Sequence, residues 1–410
     1  MSEFYYTIFN ALLYFIPLYW SLKTRRYIIT LISIIWLLCS IIGVFYYLNP
    51  FRIMFYPLMI KPFLYLYVLF LTSILPFVGY NKTRLEECRY GVNFKLFSFL
   101  ISLLAFCSFE PTIETIVTII TRGASNLSKA YDSGVDPRAH FSFVGKYLFS
   151  IVDYFKFVTP ILFFIYLSIK SVRKKWKTVG LVLAVSLPML NNLANGQRFY
   201  VVLLTYSLIY NYLFFYHKID VKTKMKLRKY SLIGGAGVLF LFVAISIARF
   251  GNNSSYSSEY GASYQVIRYM GESMINFNTE TFHIKKFLGG HNSFTGFYSY
   301  FLHEDRDIDA QNDIIGVTTN VFSTYIGNFV MDYGLVVTAI IIVITSIIML
   351  VFVRRQNRIL GVNYLIILYL YANILLFGTT YFIYQNGFIH MLFAIMIAMF
   401  FKFSKKDIYV

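Results

Sequence analysis

The sequence has few charged residues and very little cysteine. Only 14% of its 410 residues are charged, whereas about a quarter are charged in a typical soluble protein, and 58% are hydrophobic. No single water-soluble core could hide this much apolar surface, so lipid is the expected solvent. The three cysteines form neither a disulfide framework nor a metal-binding spacing.

Several familiar motifs are missing as well. The sequence contains no P-loop, no H-E-x-x-H, no nucleophile elbow and no dinucleotide-binding fingerprint. No internal repeat is visible, and no inverted pair of Gly/Pro-broken helices indicates a transporter. The first apolar run, 4–22, lacks a basic leading region and a cleavage site, so we expect a membrane anchor rather than a signal peptide.

Long apolar runs dominate what remains, and each is long enough to cross a bilayer as a helix. They predict an all-α polytopic integral membrane protein with about 11 transmembrane helices, forming one membrane domain over residues 1–410. The runs lie at about 4–22, 27–48, 62–80, 96–110, 146–169, 178–195, 199–216, 231–249, 332–353, 361–380 and 385–402.

The distribution of basic residues predicts the orientation in the membrane. Placing the N-terminus outside and the C-terminus in the cytoplasm puts most of the 37 Lys and Arg residues, but only four of the 19 acidic ones, on the cytoplasmic side. This asymmetry explains the net charge of +18 without any nucleic-acid partner. The basic clusters are Lys23–Arg26, Arg173–Lys175, Lys222–Lys229, Arg354–Arg355 and Lys405–Lys406.

Two outer loops are long enough to carry function. The first covers about 110–145, and the second covers about 250–331 and is rich in Gly, Asn, Ser, Tyr and charge. Apolar residues recur throughout the second loop, so we expect it to fold as short helices and to contain the active site.

Three arginines lie at the predicted outer face, against the usual topological bias: Arg198, Arg249 and Arg268. A guanidinium group suits bidentate capture of phosphate or diphosphate, although each arginine could instead reach lipid headgroups or pair with a loop acid. The same loop offers carboxylates and imidazoles that could take a proton from a sugar hydroxyl. We predict Glu272 as the first choice, because it follows Arg268 by four residues and shares a helical face with it, which also allows a simple ion pair.

The other candidates surround this pair. His283 is the second choice of base, and Asp332, at the start of a predicted span, is a further catalytic candidate. The D-x-D spacings within 303–309 could hold a divalent cation, but charge runs are usually solvated loop tips, so we predict no metal and no cofactor.

Three stretches resemble the bacterial O-antigen and capsule repeat-unit polymerases (Wzy type). Gly196-Gln197-Arg198 is similar to a mid-chain site of that family, where an Arg begins a helix after a small or polar residue. The segment Tyr269–Asn278 is similar to a stretch early in that family's large periplasmic loop, and Gly327–Phe329 with Asp332–Leu335 resembles the start of the following helix. The resemblance covers the whole chain in topology but only about forty residues in motif.

This resemblance implies a GT-C-like glycosyltransferase of the bacterial inner membrane, active at its outer face. The donor would be a growing glycan on undecaprenyl diphosphate, and the acceptor would be a lipid-linked repeat unit. Arg198, Arg249, Arg268, Tyr269 and Asn276 would bind the diphosphate-linked substrate. A chain-length regulator, a flippase and membrane lipid are the implied partners.

Three alternatives remain open, of which a membrane acyltransferase is disfavoured by the lack of a His near the start of the chain. His291-Asn292 is similar to a His-Asn pair in the loop of the O-antigen ligases, which pass finished glycan to a lipid acceptor. A flippase or transporter would need ionisable residues within helices, and Asp153 with Lys156 is the main such pair. Their spacing of three residues would let them neutralise each other.

Overall fold

The computed structural model confirms an all-α architecture. It describes residues 2–50, 52, 54–87, 89–132, 136, 138–197, 199–250, 262–304, 306–317, 322–354, 359–403 and 408–409. The α-helices in this part of the chain are α1 Ser2–Lys23, α2 Tyr27–Leu48, α3 Ile60–Ile74, α4 Lys82–Glu87, α5 Phe94–Asp132, α6 Phe143–Tyr154, α7 Thr159–Ser168, α8 Lys175–Ala194, α9 Phe199–Phe215, α10 Val221–Phe250, α11 Ala262–Thr279, α12 Thr295–Phe297, α13 Ile308–Ile315, α14 Tyr325–Arg354, α15 Val362–Phe377 and α16 Phe388–Phe403.

Shorter elements complete the chain. One-turn 3₁₀ or π segments lie at Leu75–Gly79, Lys170–Val172, Tyr216–Lys218, Thr281–His283 and Tyr298–Leu302. Three short strands, β1 Arg89–Val92, β2 Ile359–Gly361 and β3 Ile408–Tyr409, form a small sheet in the order β2-β1-β3. β1 pairs with β2 in parallel and with β3 in antiparallel orientation.

Within the described residues, six helical segments are long and apolar enough to cross a membrane, and the chain is therefore membrane-embedded. They are Tyr27–Leu48, Ile60–Gly79, Phe94–Gly123, Lys175–Ala194, Phe199–Lys218 and Tyr325–Arg354. A seventh span results if α6 and α7, which meet at an angle of 75°, cross together. The number of about 11 spans stays a prediction. The apolar helices α15 and α16 are shorter than the six segments, and α1 and α10, which contain the predicted runs 4–22 and 231–249, are not among them.

Breaks in three predicted segments have local causes. The predicted run 146–169 divides into α6 and α7, and Pro160 stands in the first turn of α7, where its missing N–H costs nothing. α14 contains Gly334 at a φ of +77°, a conformation that glycine adopts without strain. The predicted first loop, 110–145, is helical through Asp132, with a similar break at Gly123.

The chain divides into two compact units. Unit 1 comprises Met1–Glu87, Ser263–Asn357 and Leu368–Met391, and unit 2 comprises Cys88–Ala262, Arg358–Ile367 and Leu392–Val410. In unit 2, α5 and α8 pack closely because both contact positions are small. A Cβ added at Gly180 would lie 2.5 Å from the Cβ of Ala105, and the Ser108 hydroxyl donates to the Gly180 carbonyl at 2.8 Å.

An aromatic core holds unit 1 together. Trp36 of α2 packs against Tyr14 of α1 and Phe70 of α3, with ring centroids 5.5 and 4.7 Å apart. The indole Nε1 of Trp36 donates to the Leu375 carbonyl of α15 at 2.9 Å, and the Tyr325 hydroxyl of α14 lies 2.5 Å from that of Ser73. The buried polar ends of Trp36 and Tyr325 are thus hydrogen-bonded, as an apolar surrounding favours, whereas the buried Tyr14 hydroxyl has no partner among the described residues.

Helix α11 lies directly against α2 through two glycines. A Cβ added at Gly271 would lie 2.7 Å from the carbonyl carbon and oxygen of Ile42 and 2.8 Å from the Gly43 nitrogen. These are backbone atoms that cannot rotate away, so only glycine permits the contact. The contact fixes where α11 presents its side chains.

We expect Gly271→Ala to destabilise the protein by about 1–3 kcal/mol, because the methyl group overpacks the contact with α2. Thermal unfolding in detergent measures this change. Gly237→Ala in α10 is the matched control, because no atom lies within 4 Å of a Cβ there. Equal melting temperatures for the two variants would contradict the close contact.

Candidate functional site

The candidate site is built on α11, whose second half is polar yet buried. From Glu272 to Glu280, the residue that directly follows the helix, six polar side chains are each at most 2% exposed: Glu272, Ser273, Asn276, Asn278, Thr279 and Glu280. Burial of polar groups is unfavourable unless they are paired or retained for function. Some are paired structurally: the Asn278 amide donates to the Met59 carbonyl at 2.6 Å and accepts from the Met59 N–H at 2.9 Å.

Arg268 and Glu272 form the ion pair that their spacing allows. The Nε of Arg268 lies 3.0 Å from Oε2 of Glu272; the arginine side chain is 33% exposed and the glutamate side chain 2% exposed. The guanidinium therefore reaches the surface while its carboxylate partner is buried. Among the described residues, only Nε of this guanidinium has a hydrogen-bond partner, so its two Nη groups can serve a ligand.

Glu280 directly follows the last residue of α11, and its backbone N–H donates to the Asn276 carbonyl at 2.9 Å. Its Oε2 is shielded from solvent and has no hydrogen-bond partner among the described residues. Burial and the negative charge of Glu272 raise the pKa of Glu280 to about 7, while Arg268 opposes the shift. A carboxyl group with a pKa near neutrality can both take and release a proton at physiological pH.

Asn276 on α11 and His283 in the 3₁₀ turn that follows add buried polar atoms without a described partner. The Asn276 amide donates to the Phe322 carbonyl at 3.2 Å, but its Oδ1 is buried with no partner in the described part of the chain. The His283 ring stacks on Tyr56 at a centroid distance of 4.5 Å, and its shielded Nε2 also lacks a described partner. We name Arg268, Glu272, Asn276, Glu280 and His283 the α11 polar stripe.

Tyr269 stands beside this stripe at the surface. It is 39% exposed and packs against Phe322 at a ring-centroid distance of 4.9 Å. Its position next to Arg268 is compatible with the predicted contact to substrate.

Asp332, unlike Glu280, has both carboxylate oxygens hydrogen-bonded to the backbone. Its Oδ1 accepts the backbone N–H of Asn292 at 2.9 Å, and its Oδ2 accepts that of Ser293 at 2.6 Å. Both oxygens are therefore engaged in holding residues 292–293 against α14. This geometry favours a positioning role over the predicted role as a base.

Asn292 joins Asp332 to two further side chains. Its Oδ1 accepts from Nη2 of Arg306 at 3.2 Å and from Nε2 of Gln385 at 2.9 Å. Burial lowers the pKa of the Arg306 guanidinium, whereas the charge of Asp332 raises it. Asp332, Asn292, Arg306 and Gln385 thus form one buried network, which we call the loop clamp.

We expect Asp332→Ala to loosen the segment held by the loop clamp, because each lost hydrogen bond to a charged acceptor contributes about 1.5–3 kcal/mol. Hydrogen–deuterium exchange over 288–294 should become faster. Asp313→Ala, at an exposed position of α13, should leave that exchange unchanged. Unaltered protection in Asp332→Ala would show that the carboxylate does not hold the loop.

Two of the predicted arginines cannot be placed against this site. Arg198 lies outside the described residues, and Arg249 belongs to α10 but its side chain lies outside them. Convergence of Arg198, Arg249 and Arg268 on one substrate stays a prediction.

Several residues of the α11 polar stripe and the loop clamp were not among the predicted site residues. Glu280 was not among the predicted site residues, because spacing reveals a pair and not a buried unpaired group. Arg306 lay in a segment interpreted as a solvated loop tip, and Gln385 carried no local signal. Asn292 was noted only as part of the His291-Asn292 pair.

The remaining candidates have simpler surroundings. His291 is about half exposed, stacks on Tyr298 at 3.9 Å, and lies 3.8 Å from Glu304. Asp153 and Lys156 form an ion pair at 3.1 Å, as their spacing predicted. In the described part of the chain, no group of three His, Cys, Asp or Glu side chains could hold a metal ion, and Asp305 lies outside that part.

Comparisons with protein-family models, curated proteins and solved structures found no match to this chain.

Proposed function

We propose that the chain is a membrane glycosyltransferase of the repeat-unit polymerase type, with a GT-C-like architecture. It would transfer a growing glycan from undecaprenyl diphosphate to the terminal sugar of a lipid-linked repeat unit, at the outer face of the bacterial inner membrane. The observation that carries this proposal is the buried Glu280 carboxyl, whose Oε2 has no partner among the described residues and which directly follows the helix that bears the Arg268–Glu272 ion pair.

The chemistry needs a base and a cation, and the α11 polar stripe offers both. The acceptor hydroxyl oxygen attacks the anomeric carbon while the bond from that carbon to the diphosphate oxygen breaks. The leaving diphosphate takes the bonding electrons, and Glu280 takes the hydroxyl proton. Arg268 stabilises the charge that develops on the diphosphate, and Glu272 holds the guanidinium in place.

In this scheme Asn276 offers its unpaired Oδ1 to a sugar hydroxyl, and Tyr269 offers a ring face at the surface. His283 would be a second proton acceptor. Asp332 acts through the loop clamp as a positioning residue.

The glycan profile of a deletion strain tests the proposal. Loss of a polymerase should replace the ladder of long chains with a single repeat unit on lipid A. Loss of an O-antigen ligase should instead leave no glycan on lipid A. This alternative is kept because the ring of His291 is exposed. A profile unchanged by the deletion would overturn both assignments.

A transporter is less well supported than an enzyme. The pairing of Asp153 with Lys156 leaves neither charge available to a translocated substrate without breaking a contact of 3.1 Å. A flux assay in liposomes with labelled lipid-linked glycan would reveal transport directly.

A further inference from the structure

Unit 2 has an open surface pocket that is remote in sequence from the α11 polar stripe. Its volume is about 500 Å³, and it is lined by Lys170, Arg173, Asp220, Val221 and Lys222. Three of these residues are cationic and one is anionic, so the lining carries a net positive charge. We call it the Lys170–Lys222 pocket.

Asp220 has the only carboxylate in the pocket lining, and both of its oxygens are engaged by neighbouring residues. Oδ1 of Asp220 accepts the Thr223 N–H at 3.0 Å, and Oδ2 accepts the Thr223 hydroxyl at 2.8 Å and lies 2.7 Å from Nη2 of Arg173. These hydrogen bonds overcome the effect of burial and hold the pKa of Asp220 well below its usual range. Asp220 therefore fixes Arg173 and the start of α10 and leaves the other cations uncompensated.

Those cations are available to a ligand. Lys170 and Lys222 are exposed, and neither ammonium group has an ion pair or hydrogen bond with another described residue. The Arg173 guanidinium, by contrast, is held by Asp220 and donates from Nη1 to the Thr223 hydroxyl at 2.6 Å. Two lysine ammonium groups thus line the pocket without a described protein acceptor, beside a guanidinium that is fixed in place.

The position of the pocket along the chain narrows the choice of ligand. Lys170 and Arg173 precede the candidate span Lys175–Ala194, and Asp220 follows the candidate span Phe199–Lys218. The ends of spanning helices lie at the depth of phospholipid headgroups. Phosphate oxygens accept readily from arginine and lysine, and basic pockets at helix ends suit such headgroups.

We propose that the Lys170–Lys222 pocket binds a phosphate group, supplied by an anionic phospholipid headgroup or by a soluble phosphate. This site is independent of the proposed glycosyl transfer.

Native mass spectrometry of the purified full-length protein tests this site with phosphatidylglycerol, phosphatidylcholine and inorganic phosphate as probes. We expect the double variant Lys170→Gln/Lys222→Gln to bind phosphatidylglycerol on the order of 30-fold more weakly. The matched control is Lys226→Gln/Lys229→Gln, which removes two exposed charges from α10 outside the pocket. All four positions are exposed, so both variants should fold, which size-exclusion chromatography verifies.

The competition arm separates the two sources of phosphate. Displacement of phosphatidylglycerol by millimolar inorganic phosphate would support a soluble ligand, and resistance to it would support a lipid headgroup. Equal weakening in both double variants would attribute binding to diffuse charge and overturn the site. So would a wild-type protein that binds neither phosphatidylglycerol in preference to phosphatidylcholine nor phosphate.

Discussion

Replacing Glu280 with Gln should reduce polymer synthesis by about 10²–10⁴-fold, the usual contribution of a general base. The amide keeps the shape of the side chain but cannot accept the hydroxyl proton. Wild-type turnover should rise with pH and reach half its maximum near pH 7, because burial and Glu272 raise the pKa of Glu280 to about 7. Residual turnover of the variant should lack this pH dependence, as measured with lipid-linked repeat units in detergent.

The pH dependence of folding stability provides an independent test of Glu280. The pKa of Glu280 rises from 4.5 to about 7 on folding, so the folded state holds a proton that the unfolded state has released between these values. Stability should therefore fall as pH rises through this window. Glu280→Gln should match the wild type at pH 4 and exceed it at pH 8.

The exposed Glu304 provides the control, since Glu304→Gln should alter neither turnover nor this pH dependence. Full turnover by Glu280→Gln would remove Glu280 from the mechanism.

Replacing Arg268 with Ala should abolish long-chain polymer while the protein remains in the membrane. It should also lower stability by about 3–5 kcal/mol, because Glu272 is left buried and unpaired. The two effects can be separated. Arg268→Ala/Glu272→Gln should recover much of the stability but none of the polymer, as shown by thermal unfolding and a glycan ladder.

Arg268→Lys keeps the charge but loses the planar fork, so we expect shorter chains rather than none. Lys286→Ala, an exposed cation of the same loop, should give wild-type chain lengths. If the double variant regained polymer along with stability, Arg268 would be a structural residue only.

The strongest apolar runs predicted their helices well. The run 27–48 coincides with Tyr27–Leu48, and the run 199–216 ends within one residue of Phe199–Phe215. Hydrophobicity over some 20 residues is a local property, so it can be read without knowledge of packing.

Predictions failed where polar residues are satisfied by the helix itself. Residues 110–132 were assigned to a loop, yet the hydroxyls of Thr112, Thr115 and Thr118 donate to carbonyls four residues earlier in α5. These threonines are polar in sequence but expose no unpaired hydroxyl. Composition alone could not distinguish this helix from a loop.

Of the candidate site, the sequence revealed local pairs and missed distant ones. The Arg268–Glu272 contact follows from i, i+4 spacing on one helix. The bond from the Asn292 N–H to Asp332 joins residues that are 40 positions apart and is made only when the loop packs against α14. No spacing rule reports such a contact, nor the burial that leaves Glu280 without a partner.

The discontinuity of unit 1 has a consequence for biogenesis. Its first segment, Met1–Glu87, leaves the ribosome long before Ser263–Asn357, with all of Cys88–Ala262 made in between. At ~5–20 residues per second the early helices wait on the order of ten seconds or more for α11. During that time α11 is absent, so the surface of α2 around Gly43 is uncovered. A chaperone or insertase would bind at this surface. Nascent chains arrested before α11 should therefore be degraded more readily than chains arrested after it.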